Sequence, residues 1–149
     1  MVVSSIFVRK AVHTDLKYVE EATKVVNAAY RYGAETNTNT NLESSTKIVG
    51  TVLLQPSENP GEAEISLFSV LPSYQSKGIG SRLIRTVMAG MKDLGFHTAV
   101  IHVIESRSEI LAWYKKLGFV ETGERVPFVW PELLKQDNLH FLTLKRKLE

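Results

Sequence analysis

The period of the apolar positions changes several times along the chain, and each change marks an element. Ile6 to Ala11 is predicted as a first strand. Asp15 then stands as N-cap of a helix with Leu16, Val19, Ala22, Val26 and Ala29 or Tyr30 on one face. Tyr30, Arg31 and Tyr32 near its end read either as packing aromatics or as the border of a substrate site. Gly33 to Thr46, with its Asn37-Thr38-Asn39-Thr40-Asn41 repeat, is polar and reads as a mobile loop. Lys47 to Leu54 and Glu62 to Val70 form the two strands of a hairpin across the turn Pro56 to Gly61. Strand alternation puts Glu64 on one face with Ser66, Phe68 and Val70.

After Gly80 the period becomes helical. Leu83, Val87 and Met91 recur every four residues, joined by Ile84, Met88 and Leu94, and Gly95 is placed to cap the helix. Thr98 to Ile104 is a buried strand, Glu109 to Leu117 a helix closed by Gly118, and Phe119 to Thr122 another strand. Pro127 to Pro131 is a proline-broken loop, and Leu139 to Leu148 the final strand. This order predicts an α/β chain with a mixed sheet flanked by helices, and 149 residues suit one domain over 1–149.

The stretch that carries chemistry lies between strand and helix: Leu71-Pro72-Ser73-Tyr74-Gln75-Ser76-Lys77-Gly78-Ile79-Gly80. The first N–H groups of a helix lack intrahelical acceptors and sit at the positive end of its dipole, so phosphate oxygens are natural ligands there. Gly78 and Gly80 allow close backbone approach, Lys77 adds a cation and Ser81 a hydroxyl donor. A Gly-x-Gly alone also reads as a flexible turn. A Walker loop is excluded because Lys77 precedes the glycines, and a dinucleotide fingerprint because position 83 is Leu rather than Gly.

Composition narrows the chemistry further. Hydrophobic residues at 44% and charged residues at 23% are ordinary for a globular protein, and a net charge of +2 makes no case for a nucleic-acid or membrane partner. The absence of cysteine excludes disulfides, thiolate–zinc sites and acyl transfer through an enzyme thioester. No apolar run is long enough to span a bilayer, and the first seven residues lack a signal pattern, so a cytoplasmic location, with the nucleus as alternative, is expected. His13, His97 and His140 show no pairing that suggests a metal site.

The pattern Val70-x-Pro72-x-Tyr74-Gln75-x-Lys77-Gly78-Ile79-Gly80-Ser81-x-Leu83 resembles the acetyl-CoA signature of the GNAT superfamily of acetyltransferases. Glu109-Ile110-Leu111-Ala112-Trp113-Tyr114-Lys115-Lys116-Leu117-Gly118-Phe119 is similar to its second signature, a helix ending in Tyr-x-Lys-x-Gly-Phe. The resemblance implies the GNAT fold and acetyl-CoA as cosubstrate, with no metal. It implies that Gln75, Ser76, Lys77, Gly78, Ile79, Gly80 and Ser81 hold the pyrophosphate, and that backbone groups of Phe68 and Val70 hold the pantetheine arm. The expected reaction is direct N-acetylation of an amine in a ternary complex. The acceptor, a small molecule or a peptide or protein amine, stays open, as does a monomeric or homodimeric state.

Three departures accompany the resemblance. Ser76 stands where many members carry Gly, Arg107 stands where many carry Asn, and the segment between the first helix and the next strand is short. That shortening motivates an alternative, a GNAT-fold sensor that binds acetyl-CoA without efficient turnover.

An amine that is protonated at neutral pH needs a base. Glu64 is the first candidate, because it matches the position of the glutamate base in the histone acetyltransferases that the chain resembles. Glu105, at the carboxyl end of Thr98 to Ile104, is the runner-up, and His102 reads more simply as a core residue. Tyr114 is the expected acid, since a phenol stays protonated at neutral pH and can donate to a leaving thiolate.

Overall fold

The structure, a computed structural model, describes residues 8–30, 47–127 and 139–149, and of residues 27–30 only the backbone. Two predicted segments, the polar loop 33–46 and most of the proline-broken loop after Pro127, lie outside the described residues, as do Arg31 and Tyr32. By internal contacts the chain forms two compact units, Met1–Leu53 with Leu67–Val87, and Leu54–Ser66 with Met88–Glu149.

In the first unit the expected initial strand is not seen. Residues 6 and 7 lie outside the description, and 8–12 are irregular. The cause is Asp15, whose carboxylate accepts from the Arg9 guanidinium at 2.6 and 2.7 Å and from the Val12 N–H at 2.8 Å, folding the segment back on itself. Asp15 is therefore not the N-cap of an α-helix. It sits inside a 3-10 turn, His13–Tyr18, that precedes α1, Val19–Tyr30. Arg9 first, and then the Val12 N–H, hold the Asp15 carboxyl far below the usual carboxylate range.

The buried contact of α1 is Val25 rather than the predicted stripe, since Leu16 and Val19 are more than half exposed. Val25 meets Leu71, with Ile48, Val49 and Tyr74 packed around them. A second cluster joins Val70, Ile79 and Leu83 and shares Val49 and Tyr74 with the first. Strand β1 runs Gly50–Pro56, a few residues later than predicted, because Ile48 and Val49 serve other partners. The Ile48 N–H donates to Glu21 Oε1, and the Val49 carbonyl accepts from the Leu71 N–H, both at 2.8 Å.

The remaining strands are β2, Glu62–Val70; β3, Thr98–Ile104; β4, Val120–Pro127; and β5, His140–Lys147, and the sheet order is β1-β2-β3-β5-β4. β2 is parallel to β3, whereas β3–β5 and β4–β5 are antiparallel, so the sheet is mixed as expected. Two helices connect these strands: α2, Ile79–Asp93, and α3, Ser108–Lys116, each followed by a left-handed glycine, Gly95 and Gly118. Leu94 falls beyond α2 and is exposed, so it leaves the predicted apolar face.

In the second unit the buried residues include Ala63, Ile65, Met88, Met91, Ala99, Ile101, Val103, Leu111, Phe119 and Leu144. β4 is longer than the predicted Phe119 to Thr122. It is an edge strand of mostly exposed polar residues, with its register shifted between Glu121 and Arg125, so it carries no alternation to read. None of the described helices is long and apolar enough to cross a membrane.

Two stability tests follow from this packing. A Cβ at Gly50 would lie 2.9 Å from Leu83 Cδ1 and 3.1 Å from the Ser69 carbonyl oxygen. The methyl can rotate away but the strand carbonyl cannot, so Gly50→Ala is expected to destabilise by about 1–3 kcal/mol, read as a lowered thermal midpoint. The second test concerns Arg125, which donates to Glu105 at 2.7 and 3.0 Å and so lowers the Glu105 pKa. A depressed carboxylate contributes stability above its unfolded pKa, about 4.3, and that contribution is lost as pH falls. Arg125→Gln is therefore expected to lower the urea midpoint at pH 7, with the gap to wild type closing by about pH 3.

Candidate active site

The predicted cradle residues all belong to the first unit. After β2 the chain makes a short 3-10 turn, Pro72–Tyr74, and reaches α2 through Gln75 to Gly78. Gln75 acts as a brace: its N–H donates to the Pro72 carbonyl at 3.3 Å and its side-chain amide to the Val70 carbonyl at 3.1 Å. It ties the loop back to the strand, a role the sequence did not indicate.

Ser76 has φ of +62° and Gly78 of +80°, with Lys77 between them on the ordinary side. Such alternation turns successive N–H groups toward one concave side, which suits an anion. A Cβ added at Gly78 would meet nothing within 4 Å, so the space before the loop is open. The first α2 hydrogen bond runs from the Arg82 N–H to the Gly78 carbonyl at 3.1 Å, which puts the N–H groups of Ile79, Gly80 and Ser81 ahead of the helical ladder. Lys77 and Lys47 lie 5.3 and 5.5 Å from the Tyr74 ring centroid, adding two cations to the loop surroundings. The residues present thus fit a pyrophosphate.

Phe68 and Val70 also lie in the first unit. Leu67 has φ of +46°, a strained value for a branched residue within a strand. Val70 packs with Ile79 and Leu83, alongside Phe68.

Glu64 and Tyr114 belong to the second unit. Pairing of β2 with β3 ends at Glu64↔Val100, and the next polar atom along β2, the Ser66 hydroxyl, is buried without a hydrogen-bond partner. Glu64 Oε1 lies 3.9 Å from His102 Nε2, with a quarter to a third of each side chain exposed. On its other side the His102 ring meets Thr143 Oγ1 at 3.1 Å through Nδ1. His102 is therefore not the packed core residue that its strand suggested. Two residues before Glu64 on β2 and two after Thr143 on β5, Glu62 pairs with Lys145 at 2.7 Å.

Glu105 is a weaker base than its position promised. Both its oxygens accept from Arg125, which lowers its pKa, and His140 lies 4.0 Å away. Tyr114 is 4% exposed, its ring edge-on to Trp113 at 5.0 Å and to Phe119 at 5.6 Å. Its carbonyl accepts the Phe119 N–H at 3.1 Å, closing α3. Arg107 precedes α3 and its carbonyl accepts the Leu111 N–H at 3.1 Å. Among the described residues no group of three or more His, Cys, Asp or Glu is arranged to hold a metal.

The family model described as the acetyltransferase (GNAT) family matches residues 8–119. Human N-acetyltransferase 8B is 33% identical over 104 residues, 67% of this chain and 46% of that protein. The chain thus spans about half the length of the curated relatives it matches. Among solved structures, the Escherichia coli ribosomal-protein-S18-alanine N-acetyltransferase superposes with a TM-score of 0.71 at 18% identity, over 95% of this chain and 92% of that one. A Bacillus subtilis acetyltransferase crystallised with CoA gives 0.61 at 23% identity, over 71% and 73%. At these identities the two structures show a shared fold, and the family model matches most of the sequence. Cradle, mixed sheet and tyrosine helix in this order are those of the GNAT acetyltransferases, the family to which this chain belongs.

Proposed function

We propose that the chain acetylates an amine with acetyl-CoA as cosubstrate, both substrates bound together and no acyl-enzyme formed. The observation that carries this reading is the cradle, in which left-handed Ser76 and Gly78 precede the unladdered N–H groups of α2 in a GNAT chain. Bound acetyl-CoA supplies a thioester carbon that the acceptor nitrogen attacks. The absence of cysteine agrees with direct attack.

Each protein group then has one task. The N–H groups of residues 76–81, with Lys77, hold the pyrophosphate, and Gln75 keeps the loop in that shape. The backbone of Phe68 and Val70 holds the pantetheine arm, and the Val70 N–H polarises the thioester oxygen. Glu64 takes the proton of the acceptor amine at its carboxylate, and Tyr114 gives a proton from its phenol to the departing sulfur. Glu64 is preferred to Glu105 because the Glu105 carboxylate is already committed to Arg125. The unpaired Ser66 hydroxyl, next along the Glu64 side, suits a polar group of the acceptor. Human N-acetyltransferase 8B and the S18-alanine enzyme point to amines as acceptors, small-molecule or peptide, without choosing between them.

A panel of small amines and peptide N-termini, with release of CoA thiol as readout, tests the reading. Binding without thiol release from any amine would sink transfer in favour of a sensor. Gly80→Val is expected to weaken acetyl-CoA binding at least about tenfold by crowding the backbone near the phosphates. Calorimetry showing unchanged affinity would remove the cradle assignment. Tyr114→Phe retains the ring contacts and is expected to lower kcat by about 10²-fold while leaving acetyl-CoA affinity nearly unchanged.

A further inference from the structure

We propose that His102 is a positioning and proton-relay residue for Glu64, oriented by Thr143. This rests on the reading of Glu64 as base. The geometry is set by sheet register. His102 on β3 stands opposite Thr143 on β5, and Val100, two residues earlier on β3, stands opposite Glu64 on β2. Alternation along β3 places Val100 and His102 on one side, so residues from three strands meet there.

Thr143 is 2% exposed, so its hydroxyl is held in place, and it contacts His102 Nδ1 at 3.1 Å. With Nδ1–H donating to Thr143 Oγ1, the Nε2 lone pair faces Glu64 across 3.9 Å. That gap is too long for a direct hydrogen bond and closes with a small rotation of the partly exposed Glu64 side chain. The flanking residues Ile101 and Val103 are buried, whereas about a third of the His102 side chain is exposed, which gives the ring access to solvent.

The transfer balances in three moves. The acceptor ammonium gives a proton to the Glu64 carboxylate and becomes the attacking amine. The Glu64 carboxyl passes that proton to His102 Nε2 and is again a carboxylate. The imidazolium, still bonded to Thr143, releases a proton to water and returns to its starting tautomer.

The charged groups on this side of the three strands are Glu64 and Glu62 on β2 and Lys145 and Lys147 on β5; Glu62 and Lys145 pair with each other at 2.7 Å, and Lys147 stands at the far end of the face, opposite Thr98. From β4, Thr122 donates its hydroxyl to the Thr143 carbonyl at 3.1 Å and carries no charge. Beyond the strand ends Glu105, Arg125 and His140 form a group of their own. Among the described residues Glu64 is thus the titratable group in contact with the ring.

The test uses the 149-residue chain and one amine found in the acceptor panel. His102→Gln is expected to lower kcat/KM about tenfold and to leave acetyl-CoA affinity within about twofold. The acid limb of kcat/KM should also move to lower pH, since the proton acceptor left at the site is a carboxylate and no longer an imidazole. A merely structural histidine would not shift that limb, so an unmoved limb overturns the relay. Nitrogen-15 chemical shifts of the His102 ring add a readout independent of turnover. Wild type should show the Nδ1–H tautomer, and the near-isosteric Thr143→Val should lose it; an Nε2–H ring in wild type overturns the proposal. If Glu64→Gln retains wild-type turnover, the base assignment fails and the relay with it. If His102→Gln keeps its limb while Glu64→Gln is inactive, the relay alone fails.

Discussion

The cradle has to leave the first N–H groups of α2 without protein partners, and the rest of its unit is arranged around that requirement. Unpaired donors are tolerable at a helix start only if water or a ligand reaches them, so the loop must stay open and still hold one shape. Its shape comes from groups that do not face the ligand. Gln75 clamps the Val70 carbonyl, the Leu71 N–H is bound to Val49, and Tyr74 sits in both apolar clusters of the unit. Ser76 supplies the remaining bend at the cost of a left-handed φ, which for a residue with a Cβ is of the order of 1 kcal/mol. The departure from Gly at this position thus preserves the conformation while straining it.

The same economy of partners shapes the second unit. The β2–β3 ladder stops at Glu64, two residues before this unit's part of the strand ends at Ser66. A strand that leaves its neighbour early frees polar atoms that a full ladder would have enclosed among apolar side chains. Among the described residues the Ser66 hydroxyl oxygen is buried and unpaired, and one carboxylate oxygen of Glu62 is in the same condition. Unpaired buried oxygens cost stability and are retained where something else completes them.

How much of this was legible in the chain differs element by element. β2, β3, α2 and β5 are strongly patterned, and their predicted bounds agree with the structure to within about two residues. β4 was underestimated because an edge strand exposed on both sides has no apolar alternation, and its glycine at 123 reads as a stop when it accompanies a register shift. The helix start at Asp15 was misplaced because an ion pair with Arg9 competes with the cap, and a pairing six residues apart leaves no periodic trace. In the cradle, the glycines and lysine were visible, whereas the brace role of Gln75 depends on where its amide reaches. The tyrosine helix was read from its motif, but the burial of Tyr114 between two aromatic rings was not.

The choice between the two glutamates shows why strand pairing, rather than residue type, decides the chemistry. Along the chain Glu64 and Glu105 look equivalent, each a carboxylate at one end of an apolar strand. Register separates them. At the carboxyl end of β3, β4 brings Arg125 against Glu105 with two short hydrogen bonds, which stabilises the charged form and makes the carboxylate a poorer proton acceptor. Near the amino end of β2, the register that pairs Glu64 with Val100 brings His102 close without a hydrogen bond that would engage the carboxylate. A base has to bind its proton and then lose it, so a neighbour that accepts protons serves turnover better than one that holds a permanent positive charge. Exchanging the two environments, with a guanidinium beside residue 64 and an imidazole beside residue 105, would leave composition and strand pattern nearly unchanged and make residue 105 the better proton acceptor of the two.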